Sequence, residues 1–181
     1  MFLHARLSAR LPAWASAGAS AEELRWLRDG VRLPWVTGPP RPFHQGQSCR
    51  QLSDAQRAFL LPELQRCLLT GALEPGTCSR FVTKVFLIPK GDKWRIVFDL
   101  RHLNAHVRRL VCRYETLKRL SSGLAKRGDW MVSIDLTDGF HHIPIHPDFR
   151  KFLTFDVAGV GLFQFSALPF GLNMSPYVFT R

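Results

Sequence analysis

Two carboxylates, Asp135 and Asp138, stand three residues apart where the apolar run Trp130-Met131-Val132-Ser133-Ile134 ends. The run predicts a buried strand over Met131–Leu136 with Asp135 at its tip. A strand-tip carboxylate can bind a divalent cation, because hard cations take oxygen ligands. Most strand-end aspartates are ordinary caps or turn residues, and the segment alone favours that reading. Gly139 and the bulky Phe140 follow directly. Other chemistry-bearing side chains are the cations Lys90 and Arg95 and two histidine groups, His102 with His106 and His141, His142 with His146. No cysteine stands beside either group, which disfavours zinc.

The totals bound what can position these residues. A length of 181 suits one domain or slightly more. Hydrophobic residues at 46%, with 14 Phe and 5 Trp, exclude a disordered chain. The formal charge of +11 favours a polyanionic partner, nucleic acid or an anionic surface. The cysteines at 49, 67, 78 and 112 form no C-x-x-C pair. They read as reduced thiols of an intracellular protein, with no membrane-spanning run and no secretory signal.

Residues 1–50 read as a partly ordered arm and 51–181 as the main body. Residues 1–21 are Arg- and Ala-rich without acids, a composition shared with organelle transit peptides. Glu22–Arg28 can make two helical turns, stopped by Asp29-Gly30, and Pro34, Pro39, Pro40 and Pro42 enforce an extended path. Trp26, Trp35 and Phe43 are expected to pack the arm on the body. Ser53-Asp54-Ala55-Gln56 fits a capping box ahead of a helical pattern, which Pro62 should kink or restart and Thr70-Gly71 ends. Leu73–Cys78 reads as loop. Phe81–Pro89 and Trp94–Leu100 read as a hairpin, turning at Gly91-Asp92-Lys93.

Eight cations against Glu115 alone occupy Arg101–Arg127, a net +7 of the chain's +11. Arg108, Arg109 and Arg113 lie there, in what suits a track for phosphates or a solvated face. Tyr114–Lys126 fits a helix. Phe152–Asp156 and Leu162–Ser166 fit a second hairpin, turning through Gly159 and Gly161. Leu168-Pro169-Phe170-Gly171 reads as a rigid apolar loop, and Ser175-Pro176 as a cap with proline at the first helical position.

Three blocks together resemble the reverse transcriptase family, nearest its long-terminal-repeat and DIRS-like retrotransposon branch. They are Val85–Lys90 through Trp94–Asn104, Ser133–Ile145, and Phe163–Phe165 with Leu168–Phe179. The arm segments Leu24–Gly30 and Leu33-Pro34-Trp35 resemble the DIRS-like lead-in, which argues against a transit peptide. The resemblance implies an α+β right-hand polymerase: fingers plus a partial palm, an antiparallel sheet with packed helices, incomplete at the C-terminus. It implies two Mg²⁺ ions, or Mn²⁺, with Asp135 and the Leu136 carbonyl as ligands. Asp138 and Gly139 would offer backbone N–H groups to a triphosphate. Phe140 would exclude a ribose 2′-hydroxyl, and Phe170 would pack under the nucleotide. Lys90 and Arg95 would grip its phosphates. Arg101 and Asn104 would position template or brace the fingers.

The implied partners are an RNA or DNA template with primer, deoxynucleotides, and the remainder of a larger polyprotein, but no membrane. The family's Tyr-x-Asp-Asp block does not occur in these 181 residues. A fragment inactive on its own is therefore expected. The alternatives are a non-catalytic basic nucleic-acid-binding protein and a decayed retroelement remnant.

Overall fold

The computed structural model describes residues 2–91, 93–112, 128–130 and 132–181. The helix expected at 114–126 and the cations Arg113, Lys118, Arg119, Lys126 and Arg127 lie outside them.

Three helices open the chain: α1 (Leu3–Ser8), α2 (Leu11–Ser16) and α3 (Ala21–Asp29). The start of α3 follows from a capping box, in which Ser20 and Glu23 each satisfy the other's backbone N–H. Gly30 ends it where the chain runs against Ile145 and His146. A Cβ there would lie 2.4 Å from the His146 backbone nitrogen, so only glycine permits the approach. Val31 then exchanges backbone hydrogen bonds with Pro144 and His146. Val31 and Leu33 are buried in the common core, and Trp26, Trp35 and Phe43 pack against it.

Strand β1 (Phe43–His44) precedes α4 (Asp54–Thr70). The Ser53–Gln56 capping box starts α4, and Gly71 in the left-handed conformation closes it. Pro62 does not restart this helix, which is one 17-residue element. Proline removes one backbone donor, and burial of Leu60, Leu64 and Cys67 holds both halves in place.

Strands β2 (Leu73–Pro75), β3 (Phe81–Thr83), β6 (Thr154–Val157) and β7 (Gly161–Phe165) join β1 in one sheet, ordered β1-β3-β6-β7-β2. Its β6-β7-β2 side is antiparallel and its β1-β3-β6 side parallel. Strands β4 (Val85–Lys90) and β5 (Lys93–Phe98) form a separate antiparallel hairpin. A short helix, α5 (Arg101–Asn104), follows, and others lie at Pro147–Arg150 and Ser175–Phe179. Leu103, Ile145, Leu153, Phe155 and Leu168 are among the fully buried residues of the core.

Four expectations need correction. Leu73–Pro75 is a strand, paired with Phe163–Phe165, rather than loop. Phe81–Pro89 is two strands, because arm side chains take the backbone between them. Gln45 Oε1 accepts from the Lys84 N–H at 2.8 Å, and Ser48 Oγ from the Val85 N–H at 2.8 Å. Ser175 is no cap; its hydroxyl donates to the Pro169 carbonyl at 2.9 Å, and Met174 holds the cap position.

The fourth correction touches the expected site. Residues 132–136 form no strand and are exposed, with Val132 at 85%, Ile134 at 83% and Leu136 at 64%. Strand preference reflects fit to a pleated, paired neighbour. Among the described residues, none pairs with this segment.

Candidate functional site

The turn after Asp135 is shaped at Asp138, which adopts the left-handed conformation at φ 54°, ψ 34°. For a non-glycine residue that costs about 1 kcal/mol, and aspartate tolerates it better than most. The Asp138 carbonyl accepts the His141 N–H at 2.7 Å, starting a 3-10 turn over Gly139–His142. The Asp138 side chain is gripped by Arg66 of α4. Arg66 Nη1 donates to Oδ2 and Nη2 to Oδ1, the latter at 3.2 Å. The same guanidinium donates to Glu63, one helical turn earlier, at 2.9 and 2.7 Å. Arg66 holds the Asp138 carboxyl below the usual carboxylate range. Burial lowers the His141 pKa, although Asp138 lies nearby. Burial also pushes the neighbouring Cys67 thiol up to about 12.

The two expected nucleotide-site aromatics meet. The Phe140 ring lies 4.6 Å from Phe170 and 5.2 Å from Phe179, centroid to centroid. Gly139 sits directly under Phe179, so close that a Cβ would lie 2.7 Å from the ring. The loop carrying Phe170 is held from two sides. Ser175 bonds the Pro169 carbonyl, and Asn104 Nδ2 donates to the Gly171 carbonyl at 2.8 Å. Asn173 completes a reciprocal lock, donating its N–H to Asn104 Oδ1 at 2.9 Å and its amide to the Asn104 and Val107 carbonyls. Asn104 thus joins α5 to the Phe170 loop. Phe170 itself is half exposed.

The β4–β5 register puts Lys90 opposite Lys93, Ile88 opposite Arg95, and Phe86 opposite Val97. Directly paired residues share a face. Lys90 and Arg95 therefore stand together on one exposed face, with Phe86 and Ile88 behind them. The root of the hairpin reaches the core through Phe98, whose ring lies 4.8 Å from Phe165. Arg101 forms a two-point ion pair with Asp99, at 2.8 Å for each bond, and is otherwise exposed. Arg108 and Arg109 are exposed.

Asp135 and Leu136 are exposed, and Asp135 makes no hydrogen bond or ion pair among the described residues. With both Asp138 oxygens taken by Arg66, the turn offers one free carboxylate and a backbone carbonyl. That set does not fit two tightly held Mg²⁺ ions, which want several carboxylates. No group of three or more His, Cys, Asp or Glu among the described residues could hold a metal. A cavity of about 1080 Å³ lies beside the turn, between α1–α3 and the Ser175–Phe179 helix; Leu7, Trp14, Trp26, Asp135, Asp138 and Phe179 line it.

Arg66 and Glu63 escaped the sequence reading, and Phe179, the last residue of the third block, had no role assigned to it there. The i,i+3 spacing of Glu63 and Arg66 announces a helical ion pair. Nothing local announces the third partner, 72 residues away. Among the described residues, no helix is long and apolar enough to cross a membrane.

Residues 88–181 match the family model described as reverse transcriptase (RNA-dependent DNA polymerase). The chain is 29% identical over 128 residues to the retrovirus-related Pol polyprotein from transposon 412 of Drosophila melanogaster, covering 66% of the chain and 10% of that protein. It is 32% identical over 158 residues to the Gag-Pol polyprotein of walleye dermal sarcoma virus, covering 86% of the chain and 8% of that protein. The chain thus spans a tenth or less of the length of these two relatives. Among solved structures, prototype foamy virus protease-reverse transcriptase superposes with a TM-score of 0.64 at 26% identity, over 82% of this chain and 19% of that one. The foamy viral enzyme in complex with double-stranded DNA gives 0.63 at 19% identity, over 98% and 40%, a likeness of fold alone. Family model, relatives and fold agree with the three sequence blocks, and the chain belongs to the reverse transcriptase family.

Proposed function

We propose that the chain is the fingers and the first part of the palm of an RNA-directed DNA polymerase, within a larger Pol-type polyprotein. Residues 81–100 act as fingers and 130–181 as the first part of the palm, with residues 1–50 as a lead-in arm. Its task is to receive a deoxynucleoside triphosphate opposite a template base. Lys90 and Arg95 bind the phosphates, a point charge beside a planar fork. Backbone N–H groups at Asp138 and Gly139 face the triphosphate. Phe140 walls off the 2′ position, and Phe170 lies under the sugar and base. Asn104 braces the Phe170 loop; Arg101, Arg108, Arg109 and Arg113 serve the template. Asp135, with the Leu136 carbonyl, supplies one ligand set toward divalent metal. The turn offers no second free carboxylate, so the chain alone binds nucleotide without extending a primer.

The observation that carries this reading is the 4.6 Å contact between Phe140 and Phe170, which joins two of the three motif blocks in one place. The test is equilibrium binding of dATP and of ATP, with primer extension run on the same sample. The expected result is preference for dATP, loss of that preference in Phe140→Val, and no extension. Equal binding of the two nucleotides by the wild-type chain refutes the nucleotide-site reading. Mg²⁺-dependent extension refutes the inactivity. A second reading, a non-catalytic nucleic-acid-binding protein, is favoured by the charge of +11 and by the exposed Arg108 and Arg109. It predicts oligonucleotide binding with no nucleotide preference at all.

A further inference from the structure

We infer that Arg66 is a positioning residue for the 135–140 turn: its guanidinium takes both Asp138 oxygens and fixes the bend that sets Gly139 and Phe140 in place. The inference rests on the proposed nucleotide role of that turn.

The bend needs an anchor. Asp138 sits in the left-handed conformation without being glycine, a state that persists only where the surroundings enforce it. Its side chain caps nothing in the 3-10 turn. His141 Nδ1, at 3.9 Å, is too far to hold it by a hydrogen bond. Among the described residues, the side-chain hydrogen bonds to the Asp138 carboxylate come from Arg66.

Arg66 arrives already oriented. Glu63 takes Nε and Nη2, leaving the far edge of the guanidinium to meet Asp138. Their helix, α4, is fixed in turn by the burial of Leu60, Leu64 and Cys67. A rigid helix thus dictates the conformation of a turn far away in sequence. The grip also has a chemical effect. With Asp138 occupied, Asp135 is the carboxylate of the turn that remains for other chemistry. Lysine at 66 could supply charge but not a planar fork spanning two carboxylates.

Two measurements test this on the 181-residue chain. The first is amide hydrogen exchange in Arg66→Met, Arg66→Lys and Asp138→Asn. The His141 N–H, which donates to the Asp138 carbonyl, should exchange at least about tenfold faster in Arg66→Met, the loss expected for a charge-assisted hydrogen bond. Amides in the middle of α4 should keep their protection, and Arg66→Lys should recover part of the effect. Unchanged exchange across 138–142 in Arg66→Met overturns the inference. Should Arg66→Met fail to fold, Asp138→Asn carries the same comparison. The second measurement is the ratio of dATP to ATP affinity. Displacing Phe140 should cut that ratio by about threefold or more in Arg66→Met, on the scale of one modest contact. Asp138→Asn should add nothing further in the double variant. A wild-type preference that survives Arg66→Met intact overturns the positioning role. A wild-type chain with no preference removes the nucleotide reading instead, and the exchange result still decides the role of Arg66.

Discussion

Replacing Gly139 with alanine should destabilise the chain, against the usual trend. The Gly139 backbone does not lie in the left-handed region, so no strain opposes a side chain there. On backbone grounds alone, Gly→Ala restricts the unfolded chain and stabilises by about 0.4–1 kcal/mol. The obstacle is Phe179. The new Cβ would lie 2.7 Å from its Cζ and 2.9 Å from its Cε2, so the ring must withdraw by about 0.7 Å to reach the 3.4 Å of ordinary contact. Phe179 is not free to do so at no cost, because it is half-buried and packed edge-on against Phe140 at 5.2 Å. Overpacking of this kind costs about 1–3 kcal/mol. The net loss is about 1 kcal/mol, which lowers Tm by about 2–4 °C in a domain of this size. Urea unfolding at neutral pH measures it. The double variant Gly139→Ala with Phe179→Leu removes the obstructing ring, and there the alanine should be neutral or stabilising. A single variant as stable as wild type, or more so, refutes the reasoning and frees Phe179 from the turn.

Stability should also fall between about pH 7.5 and pH 5.5 through His141. Burial lowers its folded pKa, so the unfolded chain takes up the proton first; the stabilisation is complete above the unfolded value and is lost as pH falls through the folded one. Asp138, Arg66, Glu63 and His142 are the charged and titratable groups facing it. The urea midpoint at the two pH values reads the slope, and His141→Gln should flatten it; an unchanged slope excludes His141. Binding of a single-stranded oligonucleotide should weaken steeply with salt, and replacing Arg108, Arg109 and Arg113 with alanine should reduce the slope by about 0.7 per lost phosphate contact. A salt-independent affinity would show that the basic stretch does not carry the phosphates.

The parts of the fold that could be read from the sequence are those decided within a few residues. The Ser53–Gln56 cap, the β4–β5 hairpin and the stop at Gly71 rest on local chemistry, and all three occur. The capping box at Ser20 and Glu23 follows the same rule, and its pattern was there to be read. What failed depended on distant partners. Leu73–Pro75 becomes a strand because β7 supplies its neighbour. Residues 132–136 have strand composition but no neighbour among the described residues. The site divides in the same way. The resemblance singled out Phe140 and Phe170, and the structure brings them together. Arg66 belongs to no motif block and is tied to the turn only by folding.

The hairpin tip has a further consequence. Lys90 and Lys93 face each other across the ladder, with Arg95 diagonal to Lys90 and two residues along the strand from Lys93, so like charges meet at the point where two strands must close. Closing the tip without a counterion works against this repulsion. A polyanion bound there would cancel it, and closure and anion occupancy would then assist one another equally, as any linked pair of equilibria must. The ladder is paired out to Lys90 and Lys93 with this repulsion in place, so an anion on that face would tighten a closure that the backbone already makes.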